Sequence, residues 1–388
     1  MESATSQRAT LAAATAMIAV TFGMARYAYG LFLPDIRADL GLSTSTLGLI
    51  ASCSYAAYMC AQVGASVFAA RLGARRLVVA GGVVAAAGVL LSASAHDGWL
   101  LALGVTVAGA AAGLVWPPLA DVGQALDAGT GRSRALTTIN AGTGLGVLVT
   151  GPAALVAGGS WRAVWVAIAV VALAVTWWNR SVISNATARP RELVPRLRWS
   201  WFVSPHSGPL FLVAVLLGLG VSVYLTFAPD LIVAASGESD VTRAVFWAIV
   251  GAAGITGALA GDVVSRVGIR GALAGAVLGL AAAIGLLASA PGSWPAIVGS
   301  GVLFGAMMMG VTGVMAVWTA EVFAERVSAG IGAVFLVFGV GQFAGPGIFG
   351  AVAEATSLRT AFVAAAAVCL SAVALRPVHR QRPDPALQ

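Results

Sequence analysis

The chain has 388 residues; 59% are hydrophobic, 10% are charged, and its mean hydropathy is +0.92. A soluble domain carries roughly 25% charged residues, so a water-soluble globular protein is excluded. The net charge of +7 comes from a chain without lysine, and its arginines sit in short loops rather than on one folded face, which argues against a nucleic-acid partner.

A spanning helix needs about 20 mainly apolar residues. In chain order such runs fall near 10–33, 46–69, 77–95, 99–121, 134–157 and 161–178. A polar stretch from Asn179 to Ser207 follows, holding Arg180, Arg189, Arg191, Arg196 and Arg198. A second set falls near 209–234, 243–264, 271–290, 294–319, 328–352 and 358–375. The first run is too long for the apolar core of a signal peptide and is interrupted by Arg26, so it is read as a spanning helix. The three cysteines, Cys53, Cys60 and Cys369, lie in apolar runs and read as small buried hydrophobes. No metal-binding spacing is present, and no cofactor is expected.

The two sets echo each other. Tyr29, Phe32, Pro34 and Asp35 recur as Tyr224, Phe227, Pro229 and Asp230, each 195 positions later. Arg71, Gly73 and Arg75 recur at the same spacing as Arg266, Gly268 and Arg270. Gly151-Pro152 recurs as Gly345-Pro346, and Arg162 as Arg359. Six spans separate equivalent positions, so the halves share one orientation and are related by an axis along the membrane normal. With the N-terminus inside, the inner segments hold 17 arginines and the outer ones hold only Arg37, Arg162, Arg243 and Arg359. The positive-inside rule then places both termini and the linker in the cytoplasm. The expected architecture is an all-α membrane protein of twelve transmembrane helices in two six-helix bundles, residues 1–178 and 208–388, joined by a cytoplasmic linker, 179–207.

The six-plus-six layout, the basic middle segment and two motifs resemble the major facilitator superfamily over the whole chain. One motif is the loop Ala70-Arg71-Leu72-Gly73-Ala74-Arg75-Arg76, which keeps the family's glycine and basic residues but has Ala70 where the family has an aspartate. The other is the fifth run, with Gly142, Gly144, Gly146, Gly151 and Pro152, similar to the pattern associated with antiporters. Gly146, Gly151, Pro152, Gly345 and Pro346 are read as helix-packing positions. The Arg-Tyr-Ala-Tyr-Gly opening at Arg26 resembles a poorly characterised bacterial branch of the superfamily. The resemblance implies a secondary transporter in the bacterial inner membrane, working by alternating access, coupled to protons, monomeric and not an enzyme. It also implies a cytoplasmic gate in which Asp121 meets Arg71 or Arg75 and Glu321 meets Arg266 or Arg270, holding the outward-open state.

Arg26 is the first candidate for substrate. An arginine in an apolar run is costly in lipid and should face protein or a water-filled cavity. It either snorkels to the outer interface or lines a central cavity and binds an anion. Its repeat position is Val221, so the charge is not part of the duplicated scaffold. Tyr55, Tyr58 and Gln62 share one face of the second run, and Tyr29 and Tyr224 are symmetric candidates at the outer end. Asn140, Gln342, Trp116 and Met308 complete the substrate-binding set; each also has a packing or interface reading. No acid lies in the middle of a run, so a proton carrier is not evident; Asp35 is the nearest candidate. Three functions follow: transport of a small, carboxylate-like organic anion, efflux of neutral or cationic hydrophobic compounds, or a sensor without transport.

Overall fold

The computed structural model describes residues 4–126, 132–184, 207–237, 240–256, 260–323 and 327–375. Most of the linker lies outside them, as do Arg326, Arg376, Arg380 and Arg382. Nothing is described of the side chains of Arg132, Arg134 and Asp262.

Every apolar run forms helix. The first is α1, Ala4–Ile18, continued by a π-helical turn, Ala19–Arg26, and two short helices, α2, Ala28–Leu31, and α3, Leu33–Leu40. Then come α4, Thr44–Leu72; α5, Ala74–Ala93; α6, Gly98–Leu126; α7, Arg132–Val156; and α8, Trp161–Val182. The second set is α9, Ser207–Ser236; α10, Asp240–Ile255; α11, Ala260–Ser289; α12, Trp294–Val322; α13, Val327–Ala355; and α14, Leu358–Ser371. Among the described residues ten helices are long and apolar enough to cross a membrane; α10 and α14 are shorter. Large apolar side chains such as Val166, Val170, Leu173 and Trp177 stay exposed along one flank of α8, the expected surface of a helix solvated by lipid. Cys369 is buried, but Cys53 and Cys60 are exposed on α4, against the reading of all three as buried hydrophobes.

The repeat is visible in backbone geometry. Gly73 has φ 77 and ψ 156, and Gly268 has φ 72 and ψ 166. Both take an extended conformation at positive φ that is essentially restricted to glycine, and both turn the chain between consecutive spans. The opposite ends repeat too. Ser160 and Ser357 cap α8 and α14 by accepting from the Ala163 and Thr360 amides. Arg162 donates to the Ala95 carbonyl and Arg359 to that of Ala288, each at 2.7 Å. A Gly268→Ala substitution should therefore cost about 1–3 kcal/mol, read as a lower thermal midpoint. Gly275→Ala, at a helical position with open space around it, should be neutral or stabilising.

Between the two sets the main packing is α4 on α13 and α7 on α10. Small residues allow it, because without water expulsion helices in lipid associate through close backbone approach. A Cβ at Gly151 would strike the Ala244 carbonyl oxygen of α10, and within the first set one at Gly146 would strike that of Ala19. Gly345 sits against Ser222, and the Pro346 carbonyl oxygen fills the space beside Gly48. Pro152 and Pro346 lie inside their helices.

Candidate functional site

The first helix does not stay α-helical. Its backbone closes over five residues at the Tyr27 amide, which donates to the Phe22 carbonyl at 3.2 Å. Such π turns are rare and concentrate at functional sites. Here the turn sets Phe22, Arg26 and Tyr27 on one cavity wall. The cavity has a volume of about 290 Å³ and lies between the two sets of helices. Its first wall is completed by Tyr58, Trp116 and Asn140, and its second carries Met308, Met309, Phe335, Phe338 and Gln342.

Among the described residues Arg26 is the only charged one lining this cavity, and it is just 6% exposed. Its guanidinium carbon lies 4.0 Å from the centre of the Tyr58 ring, 4.6 Å from Tyr55, 5.4 Å from Tyr27 and 5.6 Å from Phe22. Each cation–π contact contributes about 0.5–2 kcal/mol and offsets part of the cost of burying the charge. The hydrogen bonding is incomplete. One Nη donates to the Gln342 side-chain oxygen across the cavity at a long 3.5 Å, and the buried Nε has no partner among the described residues. No ion pair to Arg26 is present among the described residues. A second, water-sized cavity of about 10 Å³ sits behind Arg26, lined by Tyr29, Tyr55 and Thr226 among others. Asn140 also reaches across, its amide 3.8 Å from the Met309 sulfur.

The cavity is closed on one side. Arg37 pairs with Asp230 at 2.6 Å, and Arg243 pairs with both Asp35 at 2.9 Å and Asp240 at 2.5 Å. The Ser45 amide donates to Glu354 at 2.8 Å. The first two contacts join α3 to the second set of helices, and the last joins α4 to α13. Below them α2 touches α9 directly, because Gly30 leaves room for the Leu225 carbonyl oxygen. This is the face carrying Arg37, Arg162, Arg243 and Arg359. Toward the opposite, arginine-rich face the cavity reaches Leu136 and Ile331, about one helical turn from the ends of α7 and α13.

A family model described as an uncharacterised MFS-type transporter, YbfB, matches residues 18–376. The chain belongs to the major facilitator superfamily. Solved structures agree in fold. A point-mutant form of the nucleoside transporter NupG superposes with a TM-score of 0.80 at 13% identity, covering 94% of this chain and 98% of that one. A bacterial homologue of the human lysosomal transporter Spinster, inward-facing and occupied, gives 0.76 at 14% identity, covering 96% and 97%. No curated protein is recognisably similar in sequence. This MFS chain is therefore a multi-pass membrane transporter and not an enzyme.

Within this MFS fold, six of the ten predicted substrate residues meet at the cavity: Arg26, Tyr58, Trp116, Asn140, Met308 and Gln342. Tyr29 and Tyr55 line the small space behind Arg26. The other two are corrected. Tyr224 is fully buried in the second set, stacked on Phe304 at 3.8 Å with its hydroxyl 2.5 Å from Ser300. Gln62 lines neither cavity; its backbone packs against Gly113 of α6. No ion pair of Asp121 with Arg71 or Arg75, or of Glu321 with Arg266 or Arg270, is seen among the described residues, although Asp121 and Arg270 each have a partner.

The sequence reading missed Phe22, Phe335, Phe338 and the arginines of the closed face. The repeat did point to Asp35 and Asp230, and both hold that face shut. Their arginines are not repeat mates: 37 + 195 is Ile232, and 243 − 195 is Gly48.

Proposed function

We propose that this transporter moves a small organic anion of the carboxylate type by alternating access across the bacterial inner membrane. The observation that supports this reading is Arg26, a buried cation with spare donors and, among the described residues, no acid beside it, facing a cavity between two halves. A buried charge without a counterion is costly, and a bound carboxylate removes that cost while gaining charge-assisted hydrogen bonds.

The halves are residues 1–178 and 208–388, with the arginine-rich face and both termini in the cytoplasm. In that orientation the conformation described is closed outside and accessible from inside. Asp121 with Arg71 or Arg75, and Glu321 with Arg266 or Arg270, would pair when the inner end closes and the outer pairs part. Proton coupling would run through the outer pairs. Asp230 is the only buried carboxylate among the described residues, and it replaces Asp35 as the first candidate carrier. Efflux of cationic drugs is the weaker reading, because a cation entering the cavity meets the like charge of Arg26 and no acid among the described lining residues.

The test is exchange of a labelled monocarboxylate in proteoliposomes. Saturable exchange that responds to an imposed pH gradient is expected. Transport of a cationic dye with no carboxylate exchange would reject the proposal, and exchange indifferent to pH would reject its proton coupling.

A further inference from the structure

The anion reading leaves the body of the substrate open, and the cavity walls narrow it. Arg26 lies at the end of the cavity nearest the closed face, since the small space behind it runs on to Tyr29 and Gly30. A carboxylate seated there leaves the rest of the molecule pointing toward the arginine-rich face. On one wall Phe22 and Trp116 stand edge to face with centroids 6.4 Å apart. On the facing wall Phe335 and Phe338 do the same at 6.5 Å. Met308 and Met309 add polarizable thioethers that favour contact with a ring. The volume of about 290 Å³ is at the small end of ligand cavities, which run roughly 300–1,000 Å³, so one compact molecule fits and a long chain does not.

Charge narrows it further. Among the described residues the cavity lining carries one cation and no second one. Once the inner end closes over the substrate, a second carboxylate would be held out of water with no opposite charge among the described lining residues, a large penalty. The remaining polar groups are uncharged, chiefly Asn140, Thr143, Thr312 and Gln342; they suit a hydroxyl or carbonyl substituent.

We infer that the transported anion is an aromatic monocarboxylate, its carboxylate on Arg26 and its ring between the Phe22–Trp116 and Phe335–Phe338 walls. The inference rests on the anion reading above and adds the charge count and the ring. Trp116 and Phe338 are then specificity-determining residues, choosing the body of the substrate rather than its charge.

The full-length protein in nanodiscs is titrated calorimetrically with phenylacetate, cyclohexylacetate, succinate and phenethylamine. Phenylacetate should bind tightest. Cyclohexylacetate should be weaker by roughly threefold to tenfold, the size of an aromatic contact. Succinate should be weaker by at least about tenfold, and phenethylamine should not bind. Trp116→Leu should narrow the phenylacetate-to-cyclohexylacetate ratio while leaving the carboxylate requirement intact. The ranking on the unmodified protein decides the matter even if that variant does not fold. Succinate binding as tightly as phenylacetate, or cyclohexylacetate matching it, would overturn the inference and leave the anion reading in place. Phenethylamine binding with no carboxylate bound would overturn both.

Discussion

Replacing Arg26 with alanine should leave a folded protein that binds carboxylates about 10- to 100-fold more weakly, the loss expected for charge-assisted hydrogen bonds worth about 1.5–3 kcal/mol. Folding itself should be unharmed or slightly favoured. The wild-type guanidinium is buried with one long hydrogen bond, at 3.5 Å, and an unpartnered Nε, and removing an uncompensated buried charge relieves its desolvation cost. Arg26→Lys separates charge from shape. It keeps the cation but loses the planar fork that stacks on Tyr58 and grips two carboxylate oxygens, so it should recover only part of the affinity. Calorimetric titration beside a thermal melt distinguishes the cases. Affinity lost together with the melting transition would assign Arg26 a structural role instead.

The second large effect is expected at the closed face. Arg37 keeps 31% of its side chain exposed, while Asp230 keeps only 6%. Arg37→Ala therefore strands a nearly buried carboxylate. Breaking a fully buried pair costs about 3–5 kcal/mol; the exposure of Arg37 lowers this to about 2–4 kcal/mol. The cost falls only on the conformation in which α3 meets α9, so the equilibrium should move away from it by roughly 30- to 1,000-fold. Spin labels at Ala38 and Ala235, both exposed near that face, should report a longer distance in Arg37→Ala than in the parent. An unchanged distance would show that the Gly30–Leu225 backbone contact, rather than the ion pair, holds the face closed.

The fold was legible because lipid imposes a simple pattern. Twelve apolar runs and a 195-residue echo leave few other arrangements, and Gly73 and Gly268 confirm the echo in backbone angles. Arg26 was legible as a charge where charge is expensive. Tyr55 and Tyr58 were legible from helical spacing, and that spacing stops being informative two turns on, where Gln62 leaves the site. Symmetry misled at Tyr224: its sequence mate Tyr29 borders the small cavity beside Arg26, but Ser300 and Phe304 claim Tyr224 for the interior of the second set. The contacts that close the site were not legible. Arg26–Gln342 and Arg37–Asp230 span 316 and 193 residues, and no local pattern encodes such pairings. The π turn was hidden for another reason: in a uniformly apolar helix the polar side that would reveal a change of period is missing.

The most direct test of the central claim is a structure of the protein with phenylacetate bound. A carboxylate within about 3 Å of the Arg26 Nε and one Nη, with Gln342 released or shared, is the predicted result. Ligand density elsewhere in the cavity, with Arg26 still turned to Gln342 alone, would contradict it.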